Sequence, residues 1–361
     1  MSKPIHNPSG PSPTTGFTLL ELMVAMALSL LLLGLSFTLV QQLDNTADIV
    51  GSMSDVNENL RASVNMVSRD LSTAGENIPL GGIPVPYGGT AAAINRPGPP
   101  GAGLTFPATG FIPVITPGYQ NGPTQGSGAN AITTDIVTII GVNQTSPFNP
   151  TAVTDSPTVS AVLAKITVSA AAAGYVQPGQ LIMLTNPNAS CLLAVSSVNT
   201  NTGVITFKNG DANDVLGVNQ FSGPTSGTIN QLETAGPPVS WPAITAYPIT
   251  MVTYYLDTST PRKLQKLVTT DAASTAQAVA LGINVMQFTY CLLPVVPPVA
   301  PTRNPASPNN IRKVALTMIG ETDHQNHANG QWYTKSITNA VTVQNLDYYN
   351  KYNLGASMTE N

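Results

Sequence analysis

The stretch Gly16-Phe17-Thr18-Leu19-Leu20-Glu21 opens the run GFTLLELMVAMALSLLLLGLSFTLV (16–40), and its reading decides the fold. From Phe17 to Val40 the only ionisable side chain is that of Glu21. A helix over this segment is about 36 Å long, enough to cross a hydrocarbon layer of roughly 30 Å. A carboxylate in hydrocarbon is costly unless neutralised or paired, so Glu21 reads as a functional residue. A secretory signal would place its cleavage site after the apolar run, whereas the marked junction here precedes it. Cleavage after Gly16 would free an α-amino group on Phe17. That amine stands four residues before Glu21, on the same helical face, where the two charges can neutralise each other within a subunit or between neighbours.

Working outward, residues 1–16 (MSKPIHNPSGPSPTTG) are polar, rich in Pro, Ser and Thr, and read as a disordered leader. Beyond Val40 the pattern turns amphipathic. Leu43, Val50, Met53, Val56, Leu60, Val64, Val67 and Leu71 form one stripe, with polar residues on the other faces and Gly75 as the stop. The expectation is one helix over 17–75, transmembrane to about residue 40 and amphipathic thereafter. Asp44 and Asp48 agree with that far end facing outward from the membrane.

Only 9% of the residues are charged and the net charge is −4, which leaves no basic stripe for a phosphate backbone. General nucleic-acid binding is therefore not expected. The 31 prolines and 30 glycines indicate many turns, hence a body of strands and loops. Residues 76–130 read as an extended connection. Strand patterns follow at Thr134–Ile140, Ala161–Val168, Gln180–Leu184, Leu192–Val198 and Gly203–Phe207, the last two joined by a hairpin turn, NTNTG. After a second loop-rich stretch come Ile249–Asp257, Lys263–Val268, Ala280–Leu292, Ile311–Ile319 and Tyr333–Leu346. The fold class is α+β: a long helix on a largely antiparallel sheet within 76–361, with an inserted β subdomain over about 146–245.

Few residues offer chemistry. Cys191 and Cys291 can form one disulfide in an exported chain, with two buried free thiols as the alternative. Asp323, His324 and His327 carry metal-ligating atoms but sit between glycines in a polar loop. Asp211, Asn213 and Asp214 have calcium-type oxygens in what otherwise reads as a solvated turn. Trp241 and Trp332 read as core or turn residues. No HExxH, GxSxG or phosphate loop occurs, so neither an enzyme nor a bound cofactor is expected.

The block GFTLLE with its apolar run resembles the N-terminal processing motif of type IV pilins and type II secretion pseudopilins. The resemblance implies cleavage by prepilin peptidase between Gly16 and Phe17, N-methylation of Phe17, and a role for Glu21 in subunit registration. It also implies storage in inner-membrane lipid with the body in the periplasm, followed by assembly with other major and minor pilins at the cell surface. RASVNMVSRDLSTAG (61–75), TTDIVTI (133–139), VTYYLD (252–257) with the strand around Leu264, GINVMQFTY (282–290), IRKVALTMI (311–319) and AVTVQNL (340–346) resemble, in this order, PilW-type minor pilins and the related J-type pseudopilins. They imply a type IV pilin-like fold and a minor subunit. A pseudopilus tip in type II secretion is the alternative, and a pilus-displayed adhesin or DNA-binding module is a reading of another class.

Overall fold

The computed structural model describes residues 16, 18–79, 81–86, 92–108, 110–128, 131–221, 226–234, 240–259, 263–269, 275–292, 300–322, 325 and 330–346. One helix, α1 (Leu19–Ser72), carries 54 residues and is about 81 Å long. It starts two residues later than the apolar run suggests, because Thr18 in extended conformation acts as its N-cap. It stops before Gly75, which takes φ +76° and donates its N–H to the Ile140 carbonyl at 2.9 Å. A Cβ on Gly75 would stand 2.8 Å from Val114 Cγ1, so glycine is required there both for its backbone and for its lack of a side chain.

Every strand pairing among the described residues is antiparallel. The spine is the strand Thr245–Leu256. Its second half pairs with Ile136–Val142 on one side and Lys263–Thr269 on the other. Its first half pairs with Leu181–Thr185, which in turn pairs with Ser190–Ala194. The alternation read over 280–292 as one strand is two. Ala276–Leu281 closes the edge of the spine's sheet, and Ile283–Leu292 begins a three-stranded sheet with Ile311–Glu321 and Thr334–Thr342. Gly282, at φ +68°, turns the corner between them. The pattern over 192–198 likewise divides, into Ser190–Ala194 and Ser197–Asn199, and the second of these forms the NTNTG hairpin with Val204–Lys208. One strand inside the connection, Ile115–Gly118, carries no alternation in sequence and pairs with Ile136–Val142.

Two hydrophobic clusters result. The first lies between α1 and the sheets and includes Val56, Leu60, Val64, Val67 and Leu71 from the helix with Phe288, Leu316, Met318 and Val341 from the three-stranded sheet. Each such buried side chain contributes roughly 1.5–3 kcal/mol relative to exposure. The second cluster draws only on residues between Phe148 and Ala246, among them Ile166, Leu184, Cys191, Phe207 and Phe221. Polar contacts hold the helix in register with the sheets. The Asp70 carboxylate accepts from Tyr254 Oη and Lys266 Nζ, both at 2.7 Å. Asn339 Nδ2 donates to Ser68 Oγ at 2.9 Å, and Asn345 Nδ2 donates to the Ala74 carbonyl, just past the helix end, at 3.0 Å.

Connection 76–130 is secured from inside. Arg96, 7% exposed, donates Nε to Thr138 Oγ1 at 3.0 Å, Nη1 to the Pro117 carbonyl and Nη2 to the Thr116 carbonyl, each of the last two at 2.8 Å. Burial lowers its pKa to about 10, an effect that nearby Tyr290 opposes. Asp135 joins the two sheets by accepting from the Gln120 N–H, the Phe288 N–H and Arg303 Nη2 at 2.8–2.9 Å.

At Gly320 helix and sheet approach closely, since a Cβ there would meet Leu60 Cγ and Val56 Cγ1 at 3.0 Å. Gly320→Val is expected to lower the stability of the full-length protein in detergent by about 1–3 kcal/mol through overpacking. Gly51, with no atom within 4 Å of the added methyl, is the control. Gly51→Ala is expected to raise stability by up to about 1 kcal/mol. Thermal denaturation followed by circular dichroism reads both.

Candidate functional site

The N-terminal end of α1 is built around a capping box. Thr18 Oγ1 accepts from the Glu21 N–H at 3.2 Å, while Glu21 Oε2 accepts from the Thr18 N–H at 3.0 Å and from Thr18 Oγ1–H at 3.2 Å. Two orphan donors of the first turn are satisfied, and the carboxylate sits at the positive end of the helix dipole. This modifies the expected geometry of Glu21. The helix begins at Leu19, so Glu21 is its third residue, and in this chain its carboxylate is engaged by Thr18. Gly16 is exposed, and Phe17 lies outside the described residues. The T-x-x-E spacing of a capping box is legible in the sequence, and it identifies Thr18 as the residue that pattern reading passed over.

Beyond this end, the helix leaves its apolar half uncovered. The large apolar side chains from Leu19 to Val40 are 52–78% exposed, and none of the most apolar 18-residue stretch is buried. The three hydroxyls in this half turn inward onto the helix. Ser29, Ser36 and Thr38 donate to the carbonyls four residues back at 2.8, 2.8 and 3.0 Å, so none of them presents an unsatisfied donor to hydrocarbon. Gly34 lies within the uninterrupted helix, with no protein atom near its would-be Cβ. The domain therefore buries α1 side chains from Val56 onward, and the first half is free to be solvated by lipid or by other helices.

Asp211, Asn213, Asp214 and Trp241 serve the fold. Asp214 accepts three backbone N–H groups, Gly217 and Val218 on Oδ1 and Asn219 on Oδ2, at 2.8–3.0 Å. Asp211 Oδ1 accepts the Asn213 N–H. Burial pushes the Asp214 carboxyl above its usual range, with the three N–H groups opposing. These oxygens are committed to shaping the turn. Trp241 packs on the second cluster and Trp332 is 44% exposed. Asp323, His324 and His327 lie outside the described residues. Among the described residues, no three His, Cys, Asp or Glu side chains come together as a metal site.

Cys191 and Cys291, for which a disulfide or two free thiols were the alternatives, are both free in the structure. Cys191 faces the second cluster from the strand Ser190–Ala194, and Cys291 stands opposite Lys313 in the three-stranded sheet. Two different sheets separate them, a placement that sequence distance alone does not reveal.

Residues 12–37 match the prokaryotic N-terminal methylation motif, a span that includes Gly16, Phe17, Glu21 and most of the apolar run. No curated protein and no solved structure matches the chain. The motif supports a type IV pilin-like or pseudopilin-like protein, processed by a prepilin peptidase and assembling with other pilins. The uncovered helix beside it is consistent with membrane anchoring.

Burial pushes the Cys191 thiol up to about 12. In the native protein at pH 8, Cys191 is expected to resist maleimide labelling while the half-buried Cys291 reacts. In denaturant without reductant both should label, and intact-mass analysis counts the adducts. A chain that takes up label only after reduction would contradict the free-thiol assignment.

Proposed function

We propose that this chain is a minor pilin of a type IV pilus, of the PilW type, made as a prepilin and taking part in pilus assembly or initiation. Prepilin peptidase cuts between Gly16 and Phe17, the Phe17 amine is methylated, and α1 holds the subunit in the inner membrane with the body in the periplasm until extraction into the filament. The observation that carries this reading is the apolar half of α1, left bare by its own domain directly behind the methylation motif. A helix of this kind needs a second apolar solvent, first lipid and then neighbouring helices.

The Phe17 amine and Glu21 perform registration. In the membrane-stored chain, Thr18 already supplies two donors to the Glu21 carboxylate, which lessens the cost of holding it near hydrocarbon. When the subunit packs among others, the same carboxylate is positioned to exchange these donors for the amine of a neighbour. The role is structural rather than enzymatic.

A minor rather than a repeating role is supported by where the second cluster stands. Gly75 bonds to Ile140, the register partner of Met251 on the spine strand. From Met251 the strand runs six residues, about 20 Å, to Thr245, and Leu181–Thr185 pairs along this end. Bulk of this kind, built without any α1 side chain, suits the end of a filament better than its shaft.

The test is intact-mass and N-terminal peptide analysis of the protein from native membranes and from sheared surface filaments, with Gly16→Arg alongside. The expected result is a mature chain that begins at methylated Phe17 and is present in pili at a small fraction of the major subunit, and a variant that stays uncut and absent from them. An uncut wild-type chain, or one cut after Val40, defeats the pilin-like reading. Recovery only in a type II secretion pseudopilus would reassign the system and keep the architecture.

A further inference from the structure

Between the apolar run and the first helix side chain buried against the domain, residues 41–55 of α1 form a neck about 22 Å long, exposed except at the half-buried Ile49, Ser52 and Met53. Its charges are one-sided. At 100° per residue, Asp44, Asp48 and Asp55 fall within an arc of about 40°, on the opposite side of the helix from Val56, Leu60 and Val64. Beside that arc, Leu43 and Val50, 67% and 60% exposed, continue the apolar stripe of Leu39 onto the neck, with Ala47 between them. No Lys, Arg or His stands between Phe17 and Leu60.

The neck is therefore an apolar strip bordered by carboxylates, with no cation among its own residues. A second copy packed alongside in parallel would set carboxylates against carboxylates. The first cation of such a copy, Arg61, lies seventeen residues past Asp44, so the two chains would have to slide roughly 25 Å to bring them level. We propose that this face docks a different subunit, through a helix that carries Lys or Arg at the level of Asp44 and Asp55 and apolar side chains against Leu43 and Val50. The proposal rests on the filament reading above and adds to it the chemistry of the neighbour. Charge complementarity then fixes which subunit lies next to this one, a task for which apolar helix packing alone has little discrimination.

The experiment uses the full chain in producing cells. Asp44→Lys/Asp55→Lys reverses the charge at two exposed positions, and Asp44→Asn/Asp55→Asn removes it. In the wild type, a photo-crosslinking phenylalanine analogue replaces Val50. Mature chain is quantified in membranes and in sheared filaments, and crosslinked peptides are sequenced. The reversed variant should mature as the wild type does yet be depleted from filaments at least tenfold, with the Asn variant intermediate. The adduct should map to a helical peptide of another subunit with Lys or Arg within one turn. A reversed variant that enters filaments like the wild type, or a Val50 adduct only to a second copy, overturns the proposal. A wild-type chain that is never cut or never reaches filaments overturns the filament reading itself, which separates the two failures.

Discussion

Everything in this molecule depends on one helix that must satisfy two surroundings. Its first half is apolar on every side, and its own domain covers none of the most apolar stretch. Its second half is amphipathic and contributes Val56, Leu60, Val64, Val67 and Leu71 to the main core. The two halves are one continuous rod, so any force on the bare half is transmitted to the packed half. The contacts that resist it come from residues remote in sequence. Gly320 lets the sheet approach the helix, Asp70 binds Tyr254 and Lys266, and Asn339 and Asn345 hold the last turns.

Those contacts explain the order of the body. The three-stranded sheet lies on the helix, and the spine strand Thr245–Leu256 meets the helix end through Tyr254 while its other end pairs with Leu181–Thr185. Asp135 and Arg96 then lock the long proline- and glycine-rich connection between these layers. Both are charged residues buried in a chain with little charge to spare, and both are satisfied mostly by backbone groups. Buried polar groups of this kind fix one arrangement of irregular chain, which periodic apolar packing cannot do for a segment that has no periodicity.

At the N-terminus the same economy appears on a smaller scale. Thr18 and Glu21 exchange hydrogen bonds across the first turn, so the one acidic group of the apolar half is useful to its own helix before any neighbour is present. The neck beyond Val40 is the converse. Residues 41–55 hold no Lys, Arg or His to offset these carboxylates.

The sequence by itself determined the parts governed by local pattern and composition. These are the apolar run behind Gly16, the single carboxylate at Glu21, the amphipathic continuation to Leu71, and the strands with clear alternation, such as Ile311–Glu321 and the hairpin at Val204–Lys208. A period of 3.6 or 2, or an acid in an apolar run, is a physical signal carried by neighbouring residues. Only the tertiary structure decided the rest. It placed Cys191 and Cys291 in different sheets, divided 276–292 at Gly282, made a strand of Ile115–Gly118, and buried Arg96 in a connection that reads as surface loop. Each of these outcomes depends on a contact between residues far apart along the chain, and such a contact leaves no periodic trace in the residues that make it.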